Sequence, residues 1–218
     1  MRCATLALCA AAWAAAPAFA QDTRNTLDLG VLYNSNRDAL VDGPTGTGVP
    51  ARASMDVGNS TGVLLAYEFM ATPNLGLQLS TGFGGSVTVD GAGSLGGAGR
   101  LFKADLFKAD LFSATGFVNW HFFEPGNALR PFVGIGANFS AYSGIRSYTG
   151  QSVDLDDSWS IAAQAGARYA FDRNWSMMLS LGLNWSKSDV TFSGAGSTQK
   201  AQIEFRPVVV GLAVGYSF

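Results

Sequence analysis

The last eleven residues of the sequence, Val208 to Phe218, alternate between two kinds of side chain. Every even position is apolar or aromatic, and the odd positions from Gly211 onward are small. A period of two is typical of a β-strand whose two faces meet different surroundings. In water, a strand with one continuous apolar face is an aggregation hazard unless it is covered. The pattern instead favours a strand whose apolar face meets lipid and whose other face lines a closed barrel.

Alternation of the same kind recurs along the chain and predicts eight strands. The predicted strands are 25–34, 60–69, 75–84, 112–123, 130–141, 158–171, 175–185 and 204–218. Each is close to the length of about 9–11 residues that a tilted strand needs to cross a bilayer. One face of each strand carries large apolar side chains, and the other is mostly small or polar. The sequence therefore predicts an all-β fold, an eight-stranded antiparallel transmembrane β-barrel.

The connections between the predicted strands alternate between long and short. The long ones are 35–59, 85–111, 142–157 and 186–203, and the short ones are 70–74, 124–129 and 172–174. Outer-membrane barrels have short periplasmic turns and longer extracellular loops, so both termini are expected in the periplasm. The soluble rival is an eight-stranded β-sandwich, which needs a polar outer face. The face with the large apolar side chains cannot also be the wet one.

Aromatic side chains are placed as the barrel requires. They are Phe69, Trp120, Phe122, Tyr169, Phe171, Trp175, Tyr216 and Phe218 at the predicted periplasmic rim, and Tyr33, Phe83, Trp159 and Trp185 at the outer rim. Two girdles of this kind are typical of membrane barrels, because amphipathic rings favour the depth of the lipid headgroups.

Composition agrees with a membrane barrel and excludes other classes. Charged residues make up 14% of the chain, against about 25% in ordinary soluble domains. The 27 glycines suit a narrow lumen filled by small residues. A net charge of −2 is not the footprint of a nucleic-acid-binding protein. After residue 20, no apolar run approaches the roughly 18 residues of a transmembrane helix.

The N-terminus has the features of a cleaved signal peptide over residues 1–20. Arg2 precedes an apolar run from Cys3 to Ala16, and Ala18-Phe19-Ala20 has the form of a cleavage site. Residues 21–218 are then the mature barrel. Both cysteines of the chain precede the cleavage site, so we expect no disulfide and no Cys-based metal site in the mature protein.

Two segments do not fit simple alternation. Residues 101–110 repeat a five-residue unit, LFKADLFKAD. An odd period reverses the facing of equivalent residues in a strand, so we expect mostly loop here, or a short helix. In the last strand, Ile203 and Phe205 have the opposite parity to Val208 onward. Pro207 lacks an amide hydrogen, so a bulge or a strand start is expected near it.

Four segments resemble the OmpW family of small outer-membrane barrels. They are FMATPNLGLQL at 69–79, ALRPFVGIGANF at 128–139, DRNWSMMLS at 172–180 and the terminal stretch 206–218. The resemblance implies a narrow eight-stranded barrel with a partly apolar lumen. It also implies passage of small hydrophobic molecules across the outer membrane, or service as a surface receptor for bacteriocins. The terminal strand ending in Phe218 resembles those of other outer-membrane barrels, which implies a contact with the barrel-assembly machinery.

Five apolar side chains have lumen parity: Leu32, Leu64, Phe117, Phe132 and Met178. An eight-stranded barrel has room inside only for side chains or one small ligand, which excludes a wide aqueous pore. The five residues form either a lining for an apolar solute or a filling of the narrow lumen. The residues alone leave these two interpretations open.

Glu68, His121, Arg130 and Arg168 share lumen parity and the periplasmic end. Unpaired charges inside a barrel are costly, so we expect these side chains to pair and to plug that end. A hydrophobic solute that enters from outside would then leave sideways through the wall.

Other chemistry has weaker support in the sequence. His121 is the only histidine, and it falls at the wrong leaflet for the lipid A enzymes that share this architecture. We therefore expect no enzyme, no metal and no cofactor. Asp154, Asp156 and Asp157 form an acidic cluster in the third long connection, which suits either a solvated loop or divalent cations bridging lipopolysaccharide. The favoured hypothesis is a passive channel for small hydrophobic solutes. The alternative is a structural or interaction barrel, such as an adhesin or a phage and bacteriocin receptor, and a lipid enzyme is the least favoured. Outer-membrane lipid and lipopolysaccharide are the expected surroundings in each case.

Overall fold

The computed structural model describes residues 24–35, 39–42, 53–92, 104–147, 152–155, 157–194 and 197–218, and these contain twelve β-strands and no helix. The strands are β1 (Asn25–Ser35), β2 (Ala39–Asp42), β3 (Ala53–Val57), β4 (Ser60–Met70), β5 (Leu75–Ala92), β6 (Ala104–His121), β7 (Leu129–Ser147), β8 (Ser152–Leu155), β9 (Ser158–Ala170), β10 (Trp175–Gly194), β11 (Ser197–Phe205) and β12 (Val208–Ser217). The predicted signal peptide lies outside the described residues, as do Asp156 and the side chain of Asp154.

Eight of these strands close into a ring. In the order β1, β4, β5, β6, β7, β9, β10 and β12, each pairs antiparallel with the next. β12 then pairs with β1, from Thr26 opposite Ser217 to Ser35 opposite Val208. The protein is a closed eight-stranded antiparallel β-barrel, as predicted. Closure leaves no strand edge facing hydrocarbon.

The two ends of the barrel differ. One end carries the connections 71–74, 122–128 and 171–174 together with both Asn25 and Phe218; we call it the turn end. The opposite end, the loop end, carries the remaining connections. None of the described residues forms a helix long and apolar enough to cross a membrane.

Much of the chain predicted as long loops is β-structure at the loop end. β5, β6, β7 and β10 continue beyond their predicted limits. The short strands β3, β8 and β11 pair with the extensions of β5 and β10, and β2 pairs with both β3 and β11. The predicted long connections 35–59, 85–111, 142–157 and 186–203 do lie at one end of the barrel, but most of their described residues form β-structure instead of irregular loop. Apolar and polar residues alternate along a strand only where one face meets lipid and the other meets the lumen. Strand segments outside the bilayer lack this contrast, so alternation does not identify them.

Residues 104–110 of the LFKAD repeat are part of a strand, not the predicted loop or helix, and residues 101–103 lie outside the described residues. β6 begins at Ala104 and runs through the second repeat unit. Along the described part of the repeat, its pairing shifts register at two places, once against β5 between Val89 and Asp90 and once against β7 between Lys108 and Asp110. Such β-bulges absorb an odd period, because each inserts an extra residue into one strand.

The expected interruption at Pro207 is confirmed. β11 ends at Phe205 and β12 begins at Val208, with Arg206 and Pro207 between them in neither strand. Pro207 still accepts a hydrogen bond at its carbonyl from the main-chain amide of Asn184, 3.3 Å away. The break thus falls where a proline cannot donate to the ladder.

The outer face of the barrel is apolar and exposed. All twelve aromatic side chains predicted for the two girdles are exposed, as are most large aliphatic residues of the strands. The buried residues face the interior instead and include more polar side chains than apolar ones. This distribution is the reverse of a soluble domain and fits a barrel surrounded by hydrocarbon.

Two of the turns are built alike. In one, the Thr72 hydroxyl accepts hydrogen bonds from the amides of Asn74 and Leu75; in the other, the Asp172 carboxylate accepts from the amides of Asn174 and Trp175, both at 2.8 Å. The hydrogen bonds from Trp175 and Asn174 lower the pKa of the exposed Asp172 carboxyl below its ordinary value.

Candidate functional site in the barrel interior

A buried ion-pair network crosses the interior near the turn end. Arg168 of β9 reaches Asp28 of β1 through two hydrogen bonds, from Nη1 to Oδ1 at 2.7 Å and from Nη2 to Oδ2 at 2.9 Å. Its Nη2 also lies 3.2 Å from Glu68 Oε2 of β4. The side chains are 12%, 0% and 3% exposed respectively. A bidentate guanidinium–carboxylate pair of this kind is among the strongest polar contacts in proteins.

His121 joins the same network from β6. Its Nε2 lies 2.8 Å from Glu68 Oε1, and the side chain is 2% exposed. Its Nδ1 is buried without a hydrogen-bond partner among the described residues. The imidazole ring lies against Phe132, with ring centroids 5.3 Å apart. His121 therefore stands at the boundary between the polar network and the apolar side chains of the interior.

Three amide side chains extend the network. Asn119 Nδ2 donates to Glu68 Oε1 at 2.8 Å, and its Oδ1 accepts from Gln164 Nε2 at 2.7 Å. Gln164 Nε2 also donates to Gln78 Oε1 at 2.6 Å. The carboxylates and amides thus satisfy one another across strands β4, β5, β6 and β9, as buried polar groups must.

Arg130 lies at the turn end but outside the ion-pair network. Its Nη2 donates to the Pro73 carbonyl at 2.6 Å and approaches the Phe123 carbonyl at 3.5 Å. No carboxylate of the described chain lies within salt-bridge distance of it. The predicted charge pairing of Arg130 is therefore wrong: the side chain binds main-chain carbonyls of two turns instead. Phe123 has a left-handed backbone, φ 64°, and its carbonyl also accepts from Asn74 Nδ2 at 3.0 Å.

An apolar cluster packs against the polar network. Leu64, Phe132, Met178 and Ala213 are buried together, and Leu32 packs on them while remaining partly exposed. Met178 joins the two regions, because its sulfur lies 3.8 Å from Gln78 Nε2 and 3.7 Å from Arg168 Nη2.

Phe117, the fifth apolar residue predicted for the lumen, lies apart from this cluster. It is half-buried on β6, and its ring lies beside Gly136 of β7. The structure thus brings together four of the five predicted apolar residues and three of the four predicted charged ones.

The network contains residues that the sequence reasoning did not assign to it. These are Asp28, Gln78, Asn119 and Gln164. Their lumen parity was visible in the sequence. Their partnership was not, because the contacts join strands that are far apart in the chain, such as β1 and β9. Within the described chain, no group of three or more His, Cys, Asp or Glu side chains could hold a metal ion.

Comparison with known proteins decides the family. The family model described as "OmpW family" matches residues 30–218. The chain belongs to the OmpW family. Outer membrane protein W of Vibrio cholerae serotype O1 is 26% identical over 175 residues, which cover 77% of this chain and 78% of the relative. The dibenzothiophene metabolism operon protein PahQ of Pseudomonas aeruginosa is 22% identical over 209 residues, covering 94% and 93%.

Solved structures share the fold of this OmpW family member. OprG from Pseudomonas aeruginosa superposes with a TM-score of 0.76 at 18% identity, covering 89% of this chain and 95% of OprG. AlkL in lipid bilayers superposes with a TM-score of 0.68 at 20% identity, covering 94% and 95%. The protein is an integral β-barrel of the outer membrane.

Proposed function

We propose that the protein lets small hydrophobic molecules cross the outer membrane passively, entering at the loop end and leaving sideways through the barrel wall into the bilayer. The observation that supports the proposal is the buried network of Asp28, Glu68 and Arg168, because charged side chains across the turn end disfavour passage of an apolar solute there. We place the turn end and both termini in the periplasm, since short turns face that side in outer-membrane barrels. The proposed role is transport without catalysis.

The polar network suits a plug. Separating Arg168 from its carboxylates would strand buried charges, which costs several kcal/mol. An apolar solute offers these groups no replacement partner. Glu68, His121 and Arg168 form this proposed plug, and Arg130 covers it from the turn side by bonding the Pro73 carbonyl.

The apolar cluster suits the other half of the route. Leu32, Leu64, Phe132 and Met178 present a hydrocarbon surface immediately on the loop side of the plug, with Phe117 on the wall nearby. The four buried members of the cluster are closely packed: Leu64, Phe132, Met178 and Ala213. A solute would therefore rest against the cluster and not pass through it. A solute that rests on this surface removes its own apolar area from water, and this removal drives apolar binding.

The wall offers a place to leave. Pairing between β4 and β5 stops at Val63 opposite Phe83, and β5 finds its next partner on that side only at Val89, opposite Val57 of β3. On its other side, β5 shifts register against β6 between Gly82 and Gly85. Both edges of β5 thus depart from regular pairing around Phe83, and we propose that the solute leaves at this wall interruption.

Two further expectations belong to the proposal. PahQ is named for dibenzothiophene metabolism, which supports small fused-ring aromatic compounds as the class of solute to test first. The terminal strand ending in Phe218 lies beside Asn25 of β1, where the barrel closes, and we expect the barrel-assembly machinery to contact it. Lipid and lipopolysaccharide are the other expected partners.

Transfer of dibenzothiophene tests the proposal. Apolar molecules dissolve through phospholipid unaided, so the vesicles need an outer leaflet of lipopolysaccharide. We expect the protein to accelerate dibenzothiophene uptake several-fold over protein-free vesicles, and to leave glucose uptake unchanged. Equal dibenzothiophene rates with and without protein would refute the transport role.

Ion conductance tests the plug separately. Wild-type protein in a planar bilayer should conduct few ions, and replacing both Arg130 and Arg168 with Ala should raise the conductance. Arg173→Ala is the control, because Arg173 is exposed in the 171–174 turn. An unchanged conductance in the double variant would count against the plug.

A further inference from the structure

Leu32 occupies a distinct position in the apolar cluster. The other four members are at most 8% exposed, whereas Leu32 is only partly buried. It lies four residues along β1 from Asp28 in the direction of the loop end. A solute that arrives from the loop end would therefore meet Leu32 before the rest of the cluster.

The Leu32 side chain occupies space that a glycine leaves open. A Cβ atom built on Gly82 of β5 would lie 2.6 Å from Leu32 Cδ2, closer than real Cβ atoms approach. Leu32 belongs to β1, and β4 lies between β1 and β5, where Gly62 stands opposite Leu32 in the ladder. The leucine side chain thus reaches across one strand to the interior face of Gly82.

Gly82 borders the wall interruption. It is the last residue of β5 before the register shift against β6, and the next residue, Phe83, is the last to pair with β4. The Leu32 side chain consequently lies between the buried cluster and the irregular part of the wall. Leaving Gly82 without a side chain is what allows this placement.

We infer that Leu32 is the gate and size filter of the lateral route: the side chain must move off Gly82 for a solute to pass from the cluster to the wall interruption. This inference rests on the proposed transport function. A leucine can move by changing rotamer, without breaking a hydrogen bond, so passage of a small apolar solute requires only a local change. Larger solutes are excluded by the volume of the same side chain.

The chain offers a matched control pair. Leu64 Cδ2 lies 3.2 Å from the Cβ position of Gly211 on β12, so a second leucine covers a second glycine. Gly211 pairs regularly on both sides, with Leu32 of β1 and Ser180 of β10. Leu64 stands opposite Gly82 in the β4–β5 ladder, but its Cδ2 lies against Gly211, on the other side of β1. Leu64→Ala therefore removes the same volume from the same cluster at a side chain that covers a regularly paired glycine instead of Gly82.

The test compares a small and a larger probe, dibenzothiophene and pyrene, in the lipopolysaccharide vesicles described above. Leu32→Ala should accelerate pyrene uptake several-fold and dibenzothiophene uptake less. Leu64→Ala should leave the ratio of the two rates unchanged. In the double variant Leu32→Ala with Gly82→Leu, a leucine on β5 replaces the volume lost from β1. The ratio of the two uptake rates should therefore return toward the wild-type value. Heat-dependent migration on detergent gels confirms that each variant is a folded barrel.

The outcomes separate the two proposals. Wild-type transport with an unchanged rate ratio in Leu32→Ala overturns the gate and leaves the transport role intact. If the ratio of pyrene to dibenzothiophene uptake rates changes equally in Leu32→Ala and Leu64→Ala, the gate is also overturned, because an equal change indicates a general loosening of the cluster. Absence of protein-dependent uptake in the wild type overturns both.

Discussion

Arg168 is the residue on which the polar interior most depends. It donates to two carboxylates that have almost no contact with solvent, those of Asp28 and Glu68. Arg168→Met removes the cation and keeps most of the side-chain volume. We expect it to lower the free energy of unfolding by about 3–5 kcal/mol, because the Asp28 carboxylate remains buried without its cation and Glu68 keeps only His121 and Asn119. Urea unfolding in lipid vesicles measures the loss.

Arg173→Met is the matched control for that experiment. Arg173 is exposed in the 171–174 turn, and exposed substitutions usually change stability by at most about 0.5 kcal/mol. Similar losses in the two variants would show that the buried network does not stabilise the barrel.

Asp172 gives a pH-dependent effect with a defined sign. Hydrogen bonds from the amides of Trp175 and Asn174 hold its folded-state pKa below its unfolded value. Its stabilising effect is therefore complete above the unfolded pKa of about 3.9 and is lost as the pH falls through the folded pKa.

Asp172→Ala should accordingly be less stable than the wild type at pH 7, with the difference narrowing below about pH 4. Unfolding midpoints measured across that range provide the check. If the wild type stays more stable than Asp172→Ala by the same amount below pH 4, the result would contradict the stabilising role of the Asp172 carboxylate in the turn.

Parity and a shared end of the barrel predicted the pairing of Glu68 with His121 and Arg168, but the partnership with Asp28 came only from the structure. Glu68, His121 and Arg168 were identified because their positions alternate with the lipid-facing ones. The partnership of Asp28 with Arg168 depends on how β1 and β9 face each other across the barrel, and single-strand patterns contain no such information. The Arg130 error has a similar origin, since its acceptors are turn carbonyls, one of them on the left-handed Phe123.

At the scale of elements, each barrel strand has a face toward lipid, and the free-energy cost of placing a charge on that face depends on its depth in the bilayer. β7 offers two outward residues for comparison, Ile135 near the middle of the crossing segment and Leu129 at its turn end, 71% and 52% exposed. We expect Ile135→Lys to destabilise the barrel by about 2–4 kcal/mol and Leu129→Lys by about 0–1 kcal/mol. Folding titrations into vesicles measure both. Equal costs at the two positions would contradict the assignment of this face to hydrocarbon.

The strands show where pattern reasoning ends. The bilayer-crossing parts of all eight were predictable, because lumen and lipid impose opposite demands on successive residues. In the extensions of β5, β6, β7 and β10 at the loop end, successive residues do not alternate between lumen and lipid, so their sequence provided no signal for a strand. The LFKAD repeat shows the reverse problem: an odd period excludes a regular strand, but bulges near Val89 and Lys108 accommodate it.

At the scale of the whole molecule, closure and an apolar exterior make an outer-membrane barrel, and the OmpW family match agrees with both. The fold class was predictable from the sequence because eight alternating segments allow few other arrangements. The interior was less predictable, since whether apolar lumen residues fill the barrel or line a route depends on packing. Four of the five predicted residues pack together, and Leu32 is the one of these four that is only partly buried.

The order in which a solute reaches the bilayer and the vesicle interior tests the transport account most directly. One reporter is a quencher attached to acyl chains near the bilayer centre, and the other is an aqueous cyclodextrin trapped inside lipopolysaccharide vesicles. If solutes leave through the wall beside Gly82, dibenzothiophene will be quenched in the bilayer before it reaches the cyclodextrin. Arrival in the cyclodextrin without prior quenching would mean that the solute passes straight through the turn end, and that result would contradict the account.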